Sequence, residues 1–242
     1  MALLRLLYRS TCFLVSGLLL LVPLLILAKL LGMPMGVRHG IFKVWRAFFL
    51  WAMGIKINVV EGEKPIEAAI LMGNHRSYAD ILFVFSATPT VFLGKAEVKS
   101  WPLIGWAGMA VDAVFVDRSN KDSRRAARQE LANRIQMGLS PVVFPEGTTV
   151  AQGLLPFNPG MFYTAAELDL RIVPFVLEYS DPEMAWVGEE KFVPHLLRML
   201  QRTAWHIDVH IGPTFRGTEG EVLLQEVRGW MEQRVKKAIS GF

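Results

Sequence analysis

Residues 10–28 (STCFLVSGLLLLVPLLILA) run for 19 positions without a charge, between Arg9 and Lys29. As a helix rising 1.5 Å per residue, the run reaches about 28 Å, close to the thickness of a bilayer core. A chain with such a segment must bury it in lipid or cover it with protein. Pro23 in mid-run allows a kink or a shallow re-entrant path. Arg5 and Arg9 also suit the basic region of a signal peptide. The run is long for that, however, and the following AKLLGMPMG lacks a convincing small-x-small cleavage site, so the expectation is a retained anchor.

A second apolar stretch, residues 41–57, mixes Phe42, Trp45, Phe48, Phe49, Leu50 and Trp51 with Lys43, Arg46 and Lys56. This is the make-up of a helix lying in a membrane interface; a core helix with snorkelling basic side chains is the alternative. The expected organisation is therefore membrane-anchoring helices over 1–57, apolar at about 10–31 and amphipathic at about 41–57, followed by a catalytic domain over 58–242.

Charge is distributed in the same way. Residues 1–60 carry Arg5, Arg9, Lys29, Arg38, Lys43, Arg46 and Lys56 with no Asp or Glu, whereas the remaining 182 residues hold 19 Lys and Arg against 22 Asp and Glu. Positive charge beside apolar sequence suits an anionic membrane surface. Nucleic acid is not expected as a partner, because these charges are interleaved with aliphatic runs rather than polar, base-reading side chains. At 52% hydrophobic and 20% charged residues the chain is too apolar to be disordered. The single cysteine, Cys12, cannot form an internal disulfide.

From residue 55 onwards the pattern is α/β. Short β-rich runs at 55–60, 69–72, 91–93, 113–116, 142–144, 172–177 and 206–211 alternate with helix-like segments at 80–87, 122–137, 161–168, 192–202 and 219–239. Strands alternating with helices imply a mostly parallel sheet flanked by helices on both faces.

Three clusters stand at the ends of apolar runs. Asn74-His75-Arg76-Ser77-Tyr78-Ala79-Asp80 follows AILM and reads as strand, turn, helix. A histidine at a strand's carboxyl end is placed where α/β sheets do chemistry. An aspartate five residues on can return to its imidazole, set the tautomer and leave the other nitrogen free to take a proton from a hydroxyl. On spacing alone, the commoner reading is that Ser77 or Asp80 caps the helix and His75 is a turn residue. Phe144-Pro145-Glu146-Gly147-Thr148-Thr149 follows PVVF, with Gly147 permitting close backbone approach and Glu146 and Thr148 offering an acceptor and a donor. A capped strand-to-helix loop explains it equally. Val114-Phe115-Val116-Asp117-Arg118 ends a strand in an arginine able to fork onto a phosphate, or in an ordinary surface turn. The following Lys121, Arg124, Arg125 and Arg128 share one helical face, which suits coenzyme A phosphates or an acidic carrier protein but is more often simply solvated.

Taken in order, the blocks NHRSYAD at 74–80, KAEVKSWPLIG at 95–105 continuing to VFVDR at 114–118, FPEGT at 144–148 and IVPF at 172–175 resemble the glycerolipid acyltransferase family. They are most similar to the bacterial 1-acylglycerol-3-phosphate O-acyltransferases. The resemblance implies a glycerol-3-phosphate acyltransferase-like fold with an N-terminal helical anchor. It implies transfer of a fatty acyl group from acyl-CoA or acyl carrier protein to a lysophospholipid hydroxyl, with lysophosphatidic acid as the leading acceptor and phosphatidic acid as product. His75 would be the general base and Asp80 its orienting partner. Lys95, Arg118, Glu146, Gly147 and Thr148 would bind the acceptor headgroup, and Pro174 would be structural. No metal and no cofactor beyond the donor substrate is expected. Cys12 lies in the anchor and no G-x-S-x-G elbow occurs, which argues against an acyl-enzyme.

One position departs from the pattern. Family members acting on lysophosphatidic acid commonly carry arginine directly after FPEGT, where this chain has Thr149. Lyso-ornithine lipid, whose headgroup carries an amino acid in place of phosphate, is therefore the rival acceptor. A noncatalytic lipid-binding protein and a thioester hydrolase are the rivals of other classes. The implied donors place the enzyme on the inner membrane with its catalytic domain facing the cytosol.

The alternating HIDVHI at 206–211 suits a half-buried strand better than a metal site, since His206, Asp208 and His210 have no further ligand cluster nearby.

Overall fold

The computed structural model describes residues 1–84, 87–101 and 104–239. Seven strands form one sheet: β1 (Ile55–Glu61), β2 (Ile70–Gly73), β3 (Thr90–Lys95), β4 (Val114–Val116), β5 (Ser140–Val143), β6 (Ile172–Tyr179) and β7 (Trp205–Ile211). Their order is β1-β7-β6-β2-β5-β3-β4. Only the β6/β7 pair is antiparallel, with Leu177 opposite Val209. All seven lie where the sequence pattern puts them, within a few residues. Every residue of β2 and β5 is buried, as central strands covered on both faces require.

The helices are α1 (Ala2–Leu30), α2 (Met35–Met53), α3 (Ile104–Ala110), α4 (Lys121–Gln136), α5 (Gly160–Glu167), α6 (Phe192–Gln201) and α7 (Gly220–Ile239). Leu131 of α4, Phe162 of α5 and Met231 of α7 pack on one face of the sheet with Ile70 and Met72. Leu21 and Leu25 of α1, Phe42 of α2 and Met199 of α6 pack on the other with Leu71. The N-terminal helices are thus one layer of the sheet-centred domain, and the expected boundary at residue 57 falls inside β1. The amphipathic helix, expected to reach residue 57, stops at Met53 because Gly54 turns left-handed, φ +68°.

Helix α1 is continuous but widens into a π-helical stretch over Leu14–Leu21. The wider turns come just ahead of Pro23, whose ring would otherwise press on the preceding turn; no sharp kink or re-entrant loop is needed. By length and composition α1 is long and apolar enough to cross a membrane. Both of its ends are nevertheless fastened to the domain. Arg9 is only 5% exposed and donates to the carbonyls of Leu200 (3.4 Å), Arg202 (2.6 Å) and Thr203 (3.2 Å), capping the end of α6. Arg5 donates to Gln201 O at 2.9 Å. At the far end Lys29 meets Asp112 at 2.5 Å and Met109 O at 2.7 Å. In α2, Arg38 pairs with Asp112 at 2.6 Å and Arg46 donates to Val84 O at 2.8 Å. The N-terminal basic residues thus serve largely as tethers; Lys43 and Lys56 are exposed. Exposed apolar side chains remain on the outward sides of both helices, among them Leu7, Leu19, Leu20, Leu27, Val44 and Trp51.

Candidate active site

The carboxyl ends of β2, β3, β4, β5 and β6 all lie on one edge of the sheet. Three of the four sequence blocks stand at those ends and the fourth, 172–175, begins β6 beside β2, so topology alone gathers residues that are far apart in the chain.

After β2, Asn74 is fully buried, and its amide makes two bonds with one residue of β6. Nδ2 donates to Leu177 O (2.9 Å) and Oδ1 accepts from Leu177 N (2.7 Å). The side chain extends the β2/β6 ladder by one step and launches His75 from a rigid strand end.

The histidine–aspartate pair is present. His75 Nδ1 donates to Asp80 Oδ2 at 2.7 Å. Oδ2 also accepts from Arg76 N (2.7 Å) and Ser77 N (3.0 Å), and Tyr179 donates its hydroxyl to Oδ1 (2.5 Å). Asp80 is fully buried, which is tolerable only because four donors satisfy it. Ser77 caps the short 3-10 helix Tyr78–Leu82 in a capping box with Asp80. The capping and orienting readings are therefore both true of one carboxylate. The helix expected over 80–87 is only this single turn, with residues 85 and 86 outside the described residues; β6 supplies the donor that turns Asp80 inward.

An ionised carboxylate only accepts hydrogen bonds, so the shared proton sits on Nδ1 and Nε2 is left with its lone pair. Nε2 has no hydrogen-bond partner among the described residues, and the side chain is 18% exposed. The ring stacks on Phe144 (centroids 4.2 Å, planes 10° apart), and Phe144 in turn packs edge-on against Phe175.

Glu146 is turned into the chain. Its Oε1 accepts from His75 N (2.9 Å) and its Oε2 from Leu155 N (2.7 Å), and the residue is 6% exposed. Burial raises its pKa, against the pull of those two amides. Where a headgroup contact was expected, Glu146 is, in this geometry, a brace between His75 and the loop after β5. Gly147 adopts φ +72°, with Asn158 Nδ2 2.9 Å from where a Cβ would stand. Arg118, beyond β4, reaches back to donate to Gly147 O, joining the second and third blocks. Thr148 is exposed. Lys95 ends β3, half-exposed and paired with Glu97 at 2.9 Å. With β5 between β3 and β2, it stands roughly 10 Å along the sheet edge from the end of β2, and no described contact joins it to His75. Pro174 lies in β6 opposite Met72. Pro102 and Leu103 of the second block lie outside the described residues.

Thr149, where the resemblance leads one to look for arginine, donates its hydroxyl to Trp186 O. Trp186 N donates to Arg76 O at 2.9 Å, so one loop ties the first and third blocks together. Beside it, Trp186, Tyr78, Trp101 and Phe192 form an aromatic cluster, and Tyr78 shares a 3.0 Å hydrogen bond with the buried His195. Trp101, from the second block, packs here.

Tyr179 and Glu178 were missed because the strand was expected to end at Leu177. Continuing the alternation would have placed Tyr179 on the same face as Leu177, toward Asp80.

Among the described residues no group of three or more His, Cys, Asp or Glu is placed to hold a metal ion.

A buried aspartate that orients a histidine at the carboxyl edge of a mostly parallel sheet is equipped to take a proton from a hydroxyl. The Acyltransferase family profile matches residues 56–178, and the chain belongs to that family. Among its relatives is a lyso-ornithine lipid O-acyltransferase of Pseudomonas aeruginosa, 31% identical over 180 residues that span 71% of this chain and 69% of the relative. A 1-acyl-sn-glycerol-3-phosphate acyltransferase of Neisseria gonorrhoeae is 28% identical over 130 residues, 53% of this chain and 51% of that one. The crystal structure of a 1-acyl-sn-glycerophosphate acyltransferase from Thermotoga maritima matches at TM-score 0.70 over 99% of this chain and 97% of its own, with 17% identity. That likeness is one of fold.

Proposed function

We propose that the protein is a membrane-bound lysolipid acyltransferase whose acceptor is lyso-ornithine lipid, with acyl-CoA or acyl carrier protein as donor. The observation that carries the choice of acceptor is Thr149, whose hydroxyl is spent on Trp186 O at the position where a phosphate-binding arginine is looked for. The longer match to the lyso-ornithine lipid enzyme supports it. Lysophosphatidic acid is the second reading, favoured by the cations Arg118 and Lys95 at the same sheet edge.

The chemistry follows from the pair. Nε2 of His75 takes the proton of the acceptor hydroxyl, and the oxygen attacks the thioester carbonyl. The tetrahedral adduct collapses with loss of the thiolate, which takes up the proton from the imidazolium. Asp80 holds the tautomer and stabilises the imidazolium while it exists. Phe144 holds the ring plane.

Association with the membrane rests on the outward apolar faces of α1 and α2. A helix whose two ends both grip the domain lies along the bilayer surface, immersed on its outer side, and does not carry its ends to opposite aqueous phases. The cytosolic face of the inner membrane is the side where both thioester donors occur.

The test is acyl transfer by purified protein in liposomes. A radiolabelled acyl-CoA or acyl carrier protein is offered with lyso-ornithine lipid or lysophosphatidic acid, beside His75→Ala. Acylated ornithine lipid formed by the wild type alone is expected. Phosphatidic acid as sole product reverses the choice of acceptor. Free fatty acid without acylated lipid indicates a hydrolase, and product undiminished in His75→Ala refutes the role of His75.

A further inference from the structure

A cleft of about 440 Å³ lies at the same sheet edge and is not used by the steps above. Arg76, Gln152, Gly153, Glu178 and Tyr179 are among its lining residues. The cleft is built from the catalytic segments themselves. Arg76 directly follows His75, Tyr179 donates to Asp80, and the wall at Gln152 and Gly153 continues from Val150, whose N–H donates to His75 O at 2.9 Å.

Its charges are unusual. Arg76 is 3% exposed; one guanidinium nitrogen donates to Val150 O at 3.1 Å, and no carboxylate lies within ion-pair distance among the described residues. Glu178 lines the same cleft, and its Oε1 is buried with no hydrogen-bond partner among the described residues. Burial pushes its carboxyl up to about 7, although the Arg76 charge acts in the opposite direction. Asp181, also in the cleft, is already paired with Arg202. A buried cation and a half-buried acid thus border one space without pairing with each other, an arrangement that costs stability while it is empty. A ligand that brings both a carboxylate and an ammonium relieves both at once.

We infer that this cleft is the acceptor's headgroup site and takes a zwitterionic amino acid, its carboxylate on Arg76 and its side-chain ammonium on Glu178. The inference rests on the proposed lyso-ornithine lipid acceptor. An ornithine acylated on its α-nitrogen keeps these two charges, three methylenes from the α-carbon to the amine. Arg76 gives the carboxylate a planar fork. Glu178 also discriminates, since a glycerophosphate seated on Arg76 brings no ammonium to pair with it.

The experiment uses the full chain in liposomes, with three acceptors: lyso-ornithine lipid, the same lipid acetylated on its side-chain amine, and lysophosphatidic acid. Acetylation removes the ammonium without touching the protein, so the first comparison needs no variant. In the wild type it is expected to raise the acceptor KM about tenfold or more, the size of a lost charge-assisted hydrogen bond, with a much smaller effect on kcat. In Glu178→Gln, with folding verified by its melting curve, the two ornithine acceptors are expected to differ less than about twofold. Discrimination against lysophosphatidic acid is expected to weaken.

If acetylation leaves the wild-type KM unchanged, or costs Glu178→Gln as much as it costs the wild type, the headgroup site is overturned while the acceptor assignment stands. If the wild type acylates lysophosphatidic acid and not lyso-ornithine lipid, the acceptor assignment itself fails, and the site with it.

Discussion

Replacing Glu146 with Gln distinguishes a brace from a headgroup ligand. The wild-type carboxylate accepts two backbone amides, from His75 at 2.9 Å and Leu155 at 2.7 Å. A glutamine side chain has one oxygen to offer and sets its own NH₂ against the second amide. The change loses one hydrogen bond to a charged group, about 1.5–3 kcal/mol, and strands a buried donor at about 1–3 kcal/mol. Burial already works against the ionised form of Glu146, so the neutral side chain recovers part of that cost. The net expectation is a loss of about 2 kcal/mol in stability, read as a shift in the denaturant midpoint with unchanged slope. The His75 backbone loses its tie to the loop after β5, and a displacement of the order of 1 Å at a reacting group costs about 10²-fold in rate. Acyl transfer at saturating and limiting acceptor should therefore show a fall in kcat with little change in acceptor KM. A raised acceptor KM with kcat and the unfolding curve both intact would refute the brace and restore Glu146 as a headgroup contact.

Asp80→Asn places an amide against the His75 ring and loses a buried charge that four groups donate to. By analogy with other histidine–aspartate catalysts, kcat should fall by about 10³–10⁴-fold, and residual activity close to wild type would count against Asp80 as the orienting group. Glu178 has its carboxyl raised from 4.5 to about 7, so between these values the folded state binds more protons than the unfolded state and stability falls as pH rises through that window. Glu178→Gln should remove up to about 3 kcal/mol of this loss, so that denaturation at pH 5 and pH 8 differs more in the wild type; equal pH dependence in both proteins excludes Glu178 as its source. For the orientation of α1, Cys12 is replaced by Ser and single cysteines are placed at Leu3 and Met33. In sealed vesicles an impermeant thiol reagent should reach both from the same side, and labelling from opposite sides would establish a spanning helix.

Much of the molecule was legible in the sequence. Central strands covered on both faces must be almost wholly apolar, so β2, β5 and β6 announced themselves as short apolar runs, and polar clusters directly after such runs marked the reactive edge. The contact of His75 with Asp80 is local, five residues apart, yet spacing alone favoured a cap and a turn residue, and it was the order of the four blocks that singled the pair out. What was not legible depends on distant partners. Helix α3 escaped because SWPLIGWAGMA is apolar throughout and carries no periodic polar face. Apolar sequence reads the same whether lipid or protein will cover it, so α1 and α2 read as an anchor although one side of each packs into the domain. Arg9 read as membrane-facing charge, whereas it caps α6 some two hundred positions away. Glu146 read as a ligand because an acid after a strand looks the same whether it faces out or in; only the position of the His75 and Leu155 amides turns it inward. Local pattern and apolar periodicity thus determined the strands and the α/β class, and the resemblance of the ordered blocks singled out His75 and Asp80. The brace at Glu146, the tether at Arg9 and the unpaired charges of Arg76 and Glu178 were decided by tertiary structure alone, because each depends on which donors and acceptors the folded chain brings within hydrogen-bond reach and which it keeps apart.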